Sequence, residues 1–392
     1  MPLSVLSLML CVFGITTGEF VIAGILPDVA AGMEVSIPAA GLLVSAYAIG
    51  MIVGGPVLTA LTTRFARKPL IVALLVVTVA GNLASALAPA YPVLFAARIV
   101  TSLVTSTFFA NAVVIAASTA APGKQASTVS KLAFGMNLSM ILGAPIGTLI
   151  GTGLGWRYPF LAVAVCCALG LLLVLRLVSG GPPPPPGASA VSELRVFRAR
   201  DVQLALAATA VGNAGLLAVF TYFAPLLTEV TRFAAAEVAI LLLVYGLGAT
   251  VGNLAGGWVY DRAPMPSQLG LLGSLAATLV LMWLLSASMA ATAILVFVIG
   301  ALGFAVIPGM QARVLTTASS APTLAIAVNA SGYQLAAAFA AWLGGEVINA
   351  GLGPRSIYLV GASVTVAGIA VSCWAWLRDR RVARARTPAA ST

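Results

Sequence analysis

Two ionisable residues of this chain lie deep inside apolar stretches. Glu19 is about 15 residues into the first such stretch, and Arg98 is about five residues into another. If these stretches are helices crossing a bilayer, Glu19 sits roughly 23 Å along its helix at 1.5 Å per residue. An ionised side chain at that depth costs at least about 2.5–3.5 kcal/mol, so it is by default a candidate for function. The chemistry open to a carboxylate and a guanidinium is the taking up and release of a proton, or the exchange of one charged partner for another. The chain has no histidine, so no imidazole can change charge near neutral pH. Cys11, Cys166, Cys167 and Cys373 all fall in apolar stretches, without C-x-x-C or zinc-ligand spacing. Neither a disulfide framework, a metal site nor a cofactor is implied.

The elements that position these residues follow from composition. Hydrophobic residues make up 61% of the 392 residues and charged residues 8%, against about a quarter charged in a soluble domain. So much apolar surface calls for a bilayer as solvent. Twelve apolar segments of helical length run near 4–26, 39–61, 69–88, 93–118, 128–151, 158–178, 202–225, 236–258, 267–287, 290–311, 323–346 and 356–377. In lipid they should be helices, because a helix satisfies its own backbone groups. The expected fold is an all-α membrane protein of twelve transmembrane helices in two pseudo-symmetric six-helix halves. The first segment lacks a basic leader and reads as a span, not as a cleaved signal peptide. With both termini inside, nearly all of the 20 basic residues fall in inner loops, and only Arg157, Arg232 and Arg355 fall in outer ones. That asymmetry fits the positive-inside rule and accounts for the net charge of +10 without nucleic acid.

The chain also repeats itself. Tyr47, Gly50, Gly54 and Arg64 recur 198 residues later as Tyr245, Gly248, Gly252 and Arg262. Leu154-Gly155-Trp156-Arg157 recurs at the same offset as Leu352-Gly353-Pro354-Arg355. Two similar membrane halves are the mark of many secondary transporters. The expected organisation is a first half at 1–178, a Pro-rich cytoplasmic linker at 179–201 containing Pro182 to Pro186, a second half at 202–377 and a basic cytoplasmic tail at 378–392. Five consecutive prolines favour an extended spacer.

Two loops carry a family resemblance. Thr59-Ala60-Leu61-Thr62-Thr63-Arg64-Phe65-Ala66-Arg67-Lys68 and Gly257-Trp258-Val259-Tyr260-Asp261-Arg262 look like two copies of the G-x-x-x-D-R-x-G-R-K signature of the major facilitator superfamily. The first copy has Thr59, Thr63 and Ala66 where Gly, Asp and Gly are usual, and the second has Pro264 in place of a glycine. The resemblance implies a gating role for Arg64, Arg67, Lys68, Asp261 and Arg262; orientation of the spans by charge alone is the other reading. Gly143, Pro145 and Gly147 of span 5 are similar to the glycine–proline motif of drug antiporters in that superfamily. Small residues there let helices approach, and Pro145 should bend the span. The tract Thr17-Gly18-Glu19-Phe20, followed by Gly24-Ile25-Leu26-Pro27-Asp28, resembles the opening of twelve-span drug:proton antiporters, above all actinobacterial chloramphenicol-resistance exporters. Leu94 and Arg98 match the family's L-x-x-x-R motif, with Thr101-Ser102 where Gln-Gly is usual. The resemblance implies a part for Arg98 in proton coupling.

Both Glu19 and Arg98 fall in the outer halves of their spans, where they could meet across a central cavity. They would act as a proton switch, with a proton or a cationic substrate competing with Arg98 for Glu19, or as a static ion pair that fixes two helices. Asp28 and Glu346 are secondary acidic candidates near the outer surface, where a solvated or interfacial place is the alternative. Polar groups able to line the cavity are Asn111, Asn137, Asn213 and Gln334, with Phe20, Tyr47, Phe220, Tyr222, Tyr245 and Tyr333 as aromatic walls. Apolar walls with few polar groups suit a lipophilic ligand. The resemblance therefore implies a proton-coupled efflux antiporter, not an enzyme. It would export lipophilic drugs, chloramphenicol among them, by alternating access. Sugar or purine/nucleoside efflux is the alternative. The expected setting is the bacterial inner membrane, multi-pass, with both termini cytoplasmic. The expected partners are a small-molecule drug, protons and lipid, with no nucleic acid, and the protein is expected to be a monomer.

Overall fold

The computed structural model describes residues 3–62, 65–119, 132, 134–178, 200–317 and 322–386. Among the described residues, eleven helices are long and apolar enough to cross a membrane, and the 28-residue helix Pro322–Asn349 makes the twelfth crossing. Span 1 is carried by two helices, α1 (Leu3–Phe20) and α2 (Ile22–Gly32). Spans 2 to 6 are Ile37–Thr62, Arg67–Ala86, Tyr91–Ser118, Phe134–Leu154 and Arg157–Leu177. Span 7 is Arg200–Thr221, continued after a break at Tyr222 by Phe223–Pro225 and a π-turn, Leu226–Val230. Spans 8 to 12 are Ala235–Arg262, Pro264–Leu285, Met289–Thr317, Pro322–Asn349 and Ser356–Arg386. An even number of crossings puts both ends of the chain on one side, here called the terminal face; the opposite side is the far face. Leu161, Val165, Leu169 and Leu172 recur at helical spacing on span 6 and face outward, a stripe suited to lipid.

Three expectations are corrected. Span 12 does not stop at 377: its helix runs on to Arg386, so the first part of the basic tail is helical. Its Arg and Ala residues are good helix formers. The linker gives way to helix at Arg200, and the rest of it, with its proline run, lies outside the described residues. Span 5 is interrupted one turn before Pro145, by a π-turn at Ser139–Gly143, and Pro145 opens the following helix, where its missing N–H costs nothing.

Lipid gives helices little hydrophobic reason to associate, so packing rests on small residues that let backbones touch. The repeated glycines are such residues. A Cβ on Gly54 would run into the Leu103 carbonyl, and one on Gly252 into the Ala301 carbonyl; Gly50 and Gly248 meet the carbonyls of Ile99 and Phe297 in the same way. Each of the two contacts in the first half has its counterpart 198 residues away in the second, so span 2 lies on span 4 as span 8 lies on span 10. The other repeated motif is a turn with a cap. Gly155 and Gly353 take positive φ, 114° and 74°, which glycine adopts without strain. The arginine two residues later then reaches the end of a neighbouring helix. Arg157 donates to the Ala88 carbonyl at 2.9 Å, and Arg355 donates through Nε and Nη2 to the Trp283 carbonyl at 3.1 and 2.7 Å. Each guanidinium lies over an indole ring, Trp156 at 4.3 Å and Trp283 at 4.8 Å. A cation at a helix C-terminus satisfies free carbonyls and the helix dipole together.

The halves meet mainly on the far side. Among the described residues, the hydrogen bonds that cross between them join Ser45 Oγ to the Ala338 carbonyl and Gln334 Nε2 to Glu19 and Met51. Gly41 and Gly344 both sit against the Tyr222 ring, and Gly345 packs on Pro38. All of these positions lie in the centre or the far half of their spans.

The glycine contacts can be tested by thermal unfolding in detergent micelles. Gly252→Ala should destabilise by about 1–3 kcal/mol, the usual cost of overpacking. Gly273→Ala, in a helix where nothing lies within 4 Å of the new methyl, should have the opposite sign, since alanine is the better helix former.

Candidate functional site

The site begins with the break in span 1. Helix α1 ends at Phe20 and α2 starts at Ile22, with Val21 between them in a turn. At the break the Gly24 N–H bonds to Val21 O at 3.0 Å, a three-residue step. Span 5 fits against this region with one face of small residues. Added side chains at Gly143, Gly147 and Gly151 would collide with Thr17, Val21 and Ile25, four-residue steps on both helices. The motif on span 5 therefore seats the interrupted part of span 1.

Arg98 of span 4 approaches the same place. It is 1% exposed, its Nη1 donates to the Gly18 carbonyl at 2.7 Å, and its guanidinium lies 4.4 Å from the centre of the Tyr47 ring and 5.8 Å from that of Phe160. Cation–π attraction strengthens when the cation is desolvated. Tyr47 is itself held by Thr105, with 3.1 Å between the hydroxyls. Nε and Nη2 of Arg98 have no protein acceptor, and an unmet buried donor costs about 1–3 kcal/mol or more when charged.

Glu19 and Arg98 share a cavity but do not form an ion pair. Glu19 Oε1 instead accepts from Gln334 Nε2 of span 11 at 2.9 Å. The cavity measures about 30 Å³ and is walled by spans 1, 2, 4, 7 and 11. Its polar lining is Glu19, Arg98, Tyr47, Tyr333, Gln334 and Thr221; Phe20, Phe220 and Leu217 close it on the apolar side. Phe20 and Phe220 meet edge to face across the halves with centroids 5.8 Å apart. A space of this size holds a few waters, whereas drug-sized sites run to about 300–1,000 Å³. In this conformer the cavity has no room for a drug-sized ligand.

Of the expected lining residues, Phe20, Tyr47, Phe220, Tyr333 and Gln334 come together here. Five do not. Asn111 bonds to Arg67 at 3.5 Å and to the Thr107 carbonyl, toward the terminal face. Asn213 is tied to Thr209 O and Met310 Sδ within the second half. Tyr222 donates to the Ala341 carbonyl at 2.7 Å on the far side. Tyr245 is buried behind Phe220, stacked at 5.0 Å. Asn137 is half-buried on span 5, outside the cavity wall. Thr221 and Leu217 were missed. Leu217 stands 198 residues from Glu19, so the repeat itself pointed to its place.

Among the loop residues, Lys68 donates to the Leu175 carbonyl at 3.0 Å. Arg262 turns back on its own helix, over Trp258 at 3.2 Å from the ring centre and bonded to the Trp258 carbonyl. Arg64 and the side chain of Asp261 lie outside the described residues. Asp28 is half-buried in α2, and Glu346 is exposed in the last turn of span 11.

Comparison with known proteins now decides the family. Residues 8–323 match the family model of the Major Facilitator Superfamily. The chain belongs to that superfamily. It is therefore a multi-pass membrane transporter and not an enzyme. It is 38% identical over 368 residues to the inner membrane transport protein YdhP of Escherichia coli K12, covering 93% of both chains. It is 34% identical over 332 residues to a chloramphenicol resistance protein of Streptomyces lividans, covering 83% of both. A crystal structure of the peptide transporter POT in complex with sulfate superposes with a TM-score of 0.79 at 14% identity, covering 98% of this chain and 96% of that one, a likeness of fold.

The unmet donors of Arg98 make a prediction. Arg98→Met removes a buried charge and its unsatisfied N–H groups, so the melting temperature in micelles should hold or rise while transport is lost. A drop of several degrees with transport retained would mark Arg98 as a strut only.

Proposed function

We propose that the protein is a proton-coupled antiporter that exports lipophilic small-molecule drugs, chloramphenicol among them, across the bacterial inner membrane by alternating access. One observation carries the reading: a half-buried carboxylate and a buried guanidinium of the first half share a central cavity with an apolar, aromatic wall from the second. The carboxylate is the group that takes the proton; Arg98 holds the break in span 1 and keeps a positive charge beside it. The aromatic and aliphatic wall fits a lipophilic ligand better than a polar one. Kinship with the Streptomyces resistance protein supports the choice of drug, and kinship with YdhP supports the membrane.

The excess of basic residues in the loops and ends of the terminal face supports a cytoplasmic location for that face and both termini. The far face, where the halves are bonded together, is then the outside, and this conformer is closed outward. Alternating access follows by rocking of the halves about the cavity. The energetics suffice: a proton crossing 100 mV releases about 2.3 kcal/mol, and each pH unit adds about 1.4 kcal/mol.

Three measurements test this. In inverted vesicles, Glu19→Gln should abolish proton-driven uptake of chloramphenicol, and undiminished uptake would remove Glu19 from the mechanism. For neutral chloramphenicol a voltage alone should drive transport, whereas one-for-one exchange with a monocation would respond only to a pH difference. Expression in a drug-sensitive host should raise chloramphenicol resistance; protection against sugar or nucleoside analogues instead would move the substrate class.

A further inference from the structure

Gln334 stands near the middle of span 11, and its amide nitrogen is committed wholly to the opposite half. Nε2 donates to Glu19 Oε1 at 2.9 Å and lies 3.0 Å from Met51 Sδ. A carboxamide nitrogen has two hydrogens, so one is directed to span 1 and the other to span 2. The other cross-half hydrogen bond among the described residues, Ser45 Oγ to Ala338 O, falls four residues further along span 11, on the same helix face. The Glu19–Gln334 contact thus sits in the seam that closes the far face.

We propose that Gln334 is the positioning residue through which the charge on Glu19 sets the packing of the two halves, holding the empty, deprotonated carrier closed on the far face. The proposal rests on the proton-exchange reading above and adds the part that prevents slippage. An ionised carboxylate only accepts, and an N–H bond to it is roughly twice as strong as one to a neutral group. A proton bound at Glu19 turns one oxygen into a donor and weakens the link. The Met51 thioether is a weak acceptor and does not replace it. The other charged or titratable groups around the cavity are Arg98 on span 4, Tyr47 on span 2 and Tyr333 on span 11; span 7 presents Leu217, Phe220 and Thr221. Arg98 is engaged by the Gly18 carbonyl and the Tyr47 ring, which leaves Gln334 as the link between the carboxylate and the second half.

An exchanger stays coupled only if the proton-loaded and substrate-loaded forms change face and the empty form does not. The Gln334 bond has that logic. It is strongest when Glu19 is ionised and the cavity holds no substrate. A proton on Glu19, or a substrate group that takes the amide, releases it.

The test uses the full-length protein in proteoliposomes, with labelled chloramphenicol and an enclosed pH dye. The native protein should move protons and drug in a fixed ratio. Gln334→Leu should move drug downhill with at least about tenfold fewer protons per molecule, the ratio expected between a charge-assisted and a neutral bond. An unchanged ratio would overturn the proposal. A second measurement needs no substrate. The Ser45→Cys, Ala338→Cys pair is cross-linked at pH 8 and pH 5.5, with and without Gln334→Leu, so that thiol titration cancels between the two backgrounds. The native background should lose about tenfold more cross-linking on acidification; an equal response in both would also sink the idea. Glu19→Gln separates the two layers. If it leaves coupling intact, the proton-exchange reading fails; if it uncouples and Gln334→Leu does not, only the role of Gln334 fails.

Discussion

A guanidinium at bilayer depth has to be carried by the protein around it. Arg98 is carried by one backbone carbonyl and two aromatic rings, and the rest of the site is arranged about that fact. The carbonyl belongs to Gly18, beside the break in span 1. The break is seated by the small-residue face of span 5, where Gly143, Gly147 and Gly151 receive Thr17, Val21 and Ile25. A side chain on any of these glycines would push span 1 away, and the Gly18 carbonyl with it. Tyr47 completes the support from span 2, and Thr105 fixes the tyrosine. The same break puts Glu19 at the cavity, one residue from the last position of α1.

The two halves share a scaffold and divide the chemistry. Backbone contacts at Gly50 and Gly54 reappear at Gly248 and Gly252, and the helix-end caps by Arg157 and Arg355 correspond. The charged positions do not correspond. Glu19 is matched by Leu217, which lines the same cavity from the other side. Arg98 is matched by Val296, fully buried. Tyr47 lies under a guanidinium, whereas its counterpart Tyr245 joins a cluster with Phe220, Phe223 and Phe304. The second half therefore offers shape and an apolar surface, and the first offers charge.

Much of this was legible in the sequence because the bilayer leaves few choices. Apolar length gave the spans, and the 198-residue repeat gave their pairing. Depth in a span singled out Glu19 and Arg98, which line the same cavity. What escaped was local geometry. Val21 is neither glycine nor proline, so nothing in its type announces the turn between α1 and α2. The same limit explains the misplaced lining residues. Asn111 and Asn213 stand out as polar groups in apolar surroundings and Tyr222 as an aromatic wall, but each ties its polar group to a carbonyl of its own half. The pairing of Glu19 with Gln334 depends on how two distant helices cross, and no single-chain pattern encodes that crossing.

The close contacts at Gly50 and Gly54 bear on how motion travels. Span 2 rests on span 4 at two successive turns, against the Leu103 backbone at Gly54 and against the Ile99 carbonyl and the small Ser102 side chain at Gly50. Spans 2 and 4 are in that respect a single stiff lever. In its far half the lever carries Ser45, bonded to Ala338 at the far-face seam, and close by Tyr47 and Arg98, which stack on each other. In the proposed exchange, a displacement that parts the seam would reach the guanidinium through this rigid pair, so the far-face closure and the charged centre would move in step as parts of one piece.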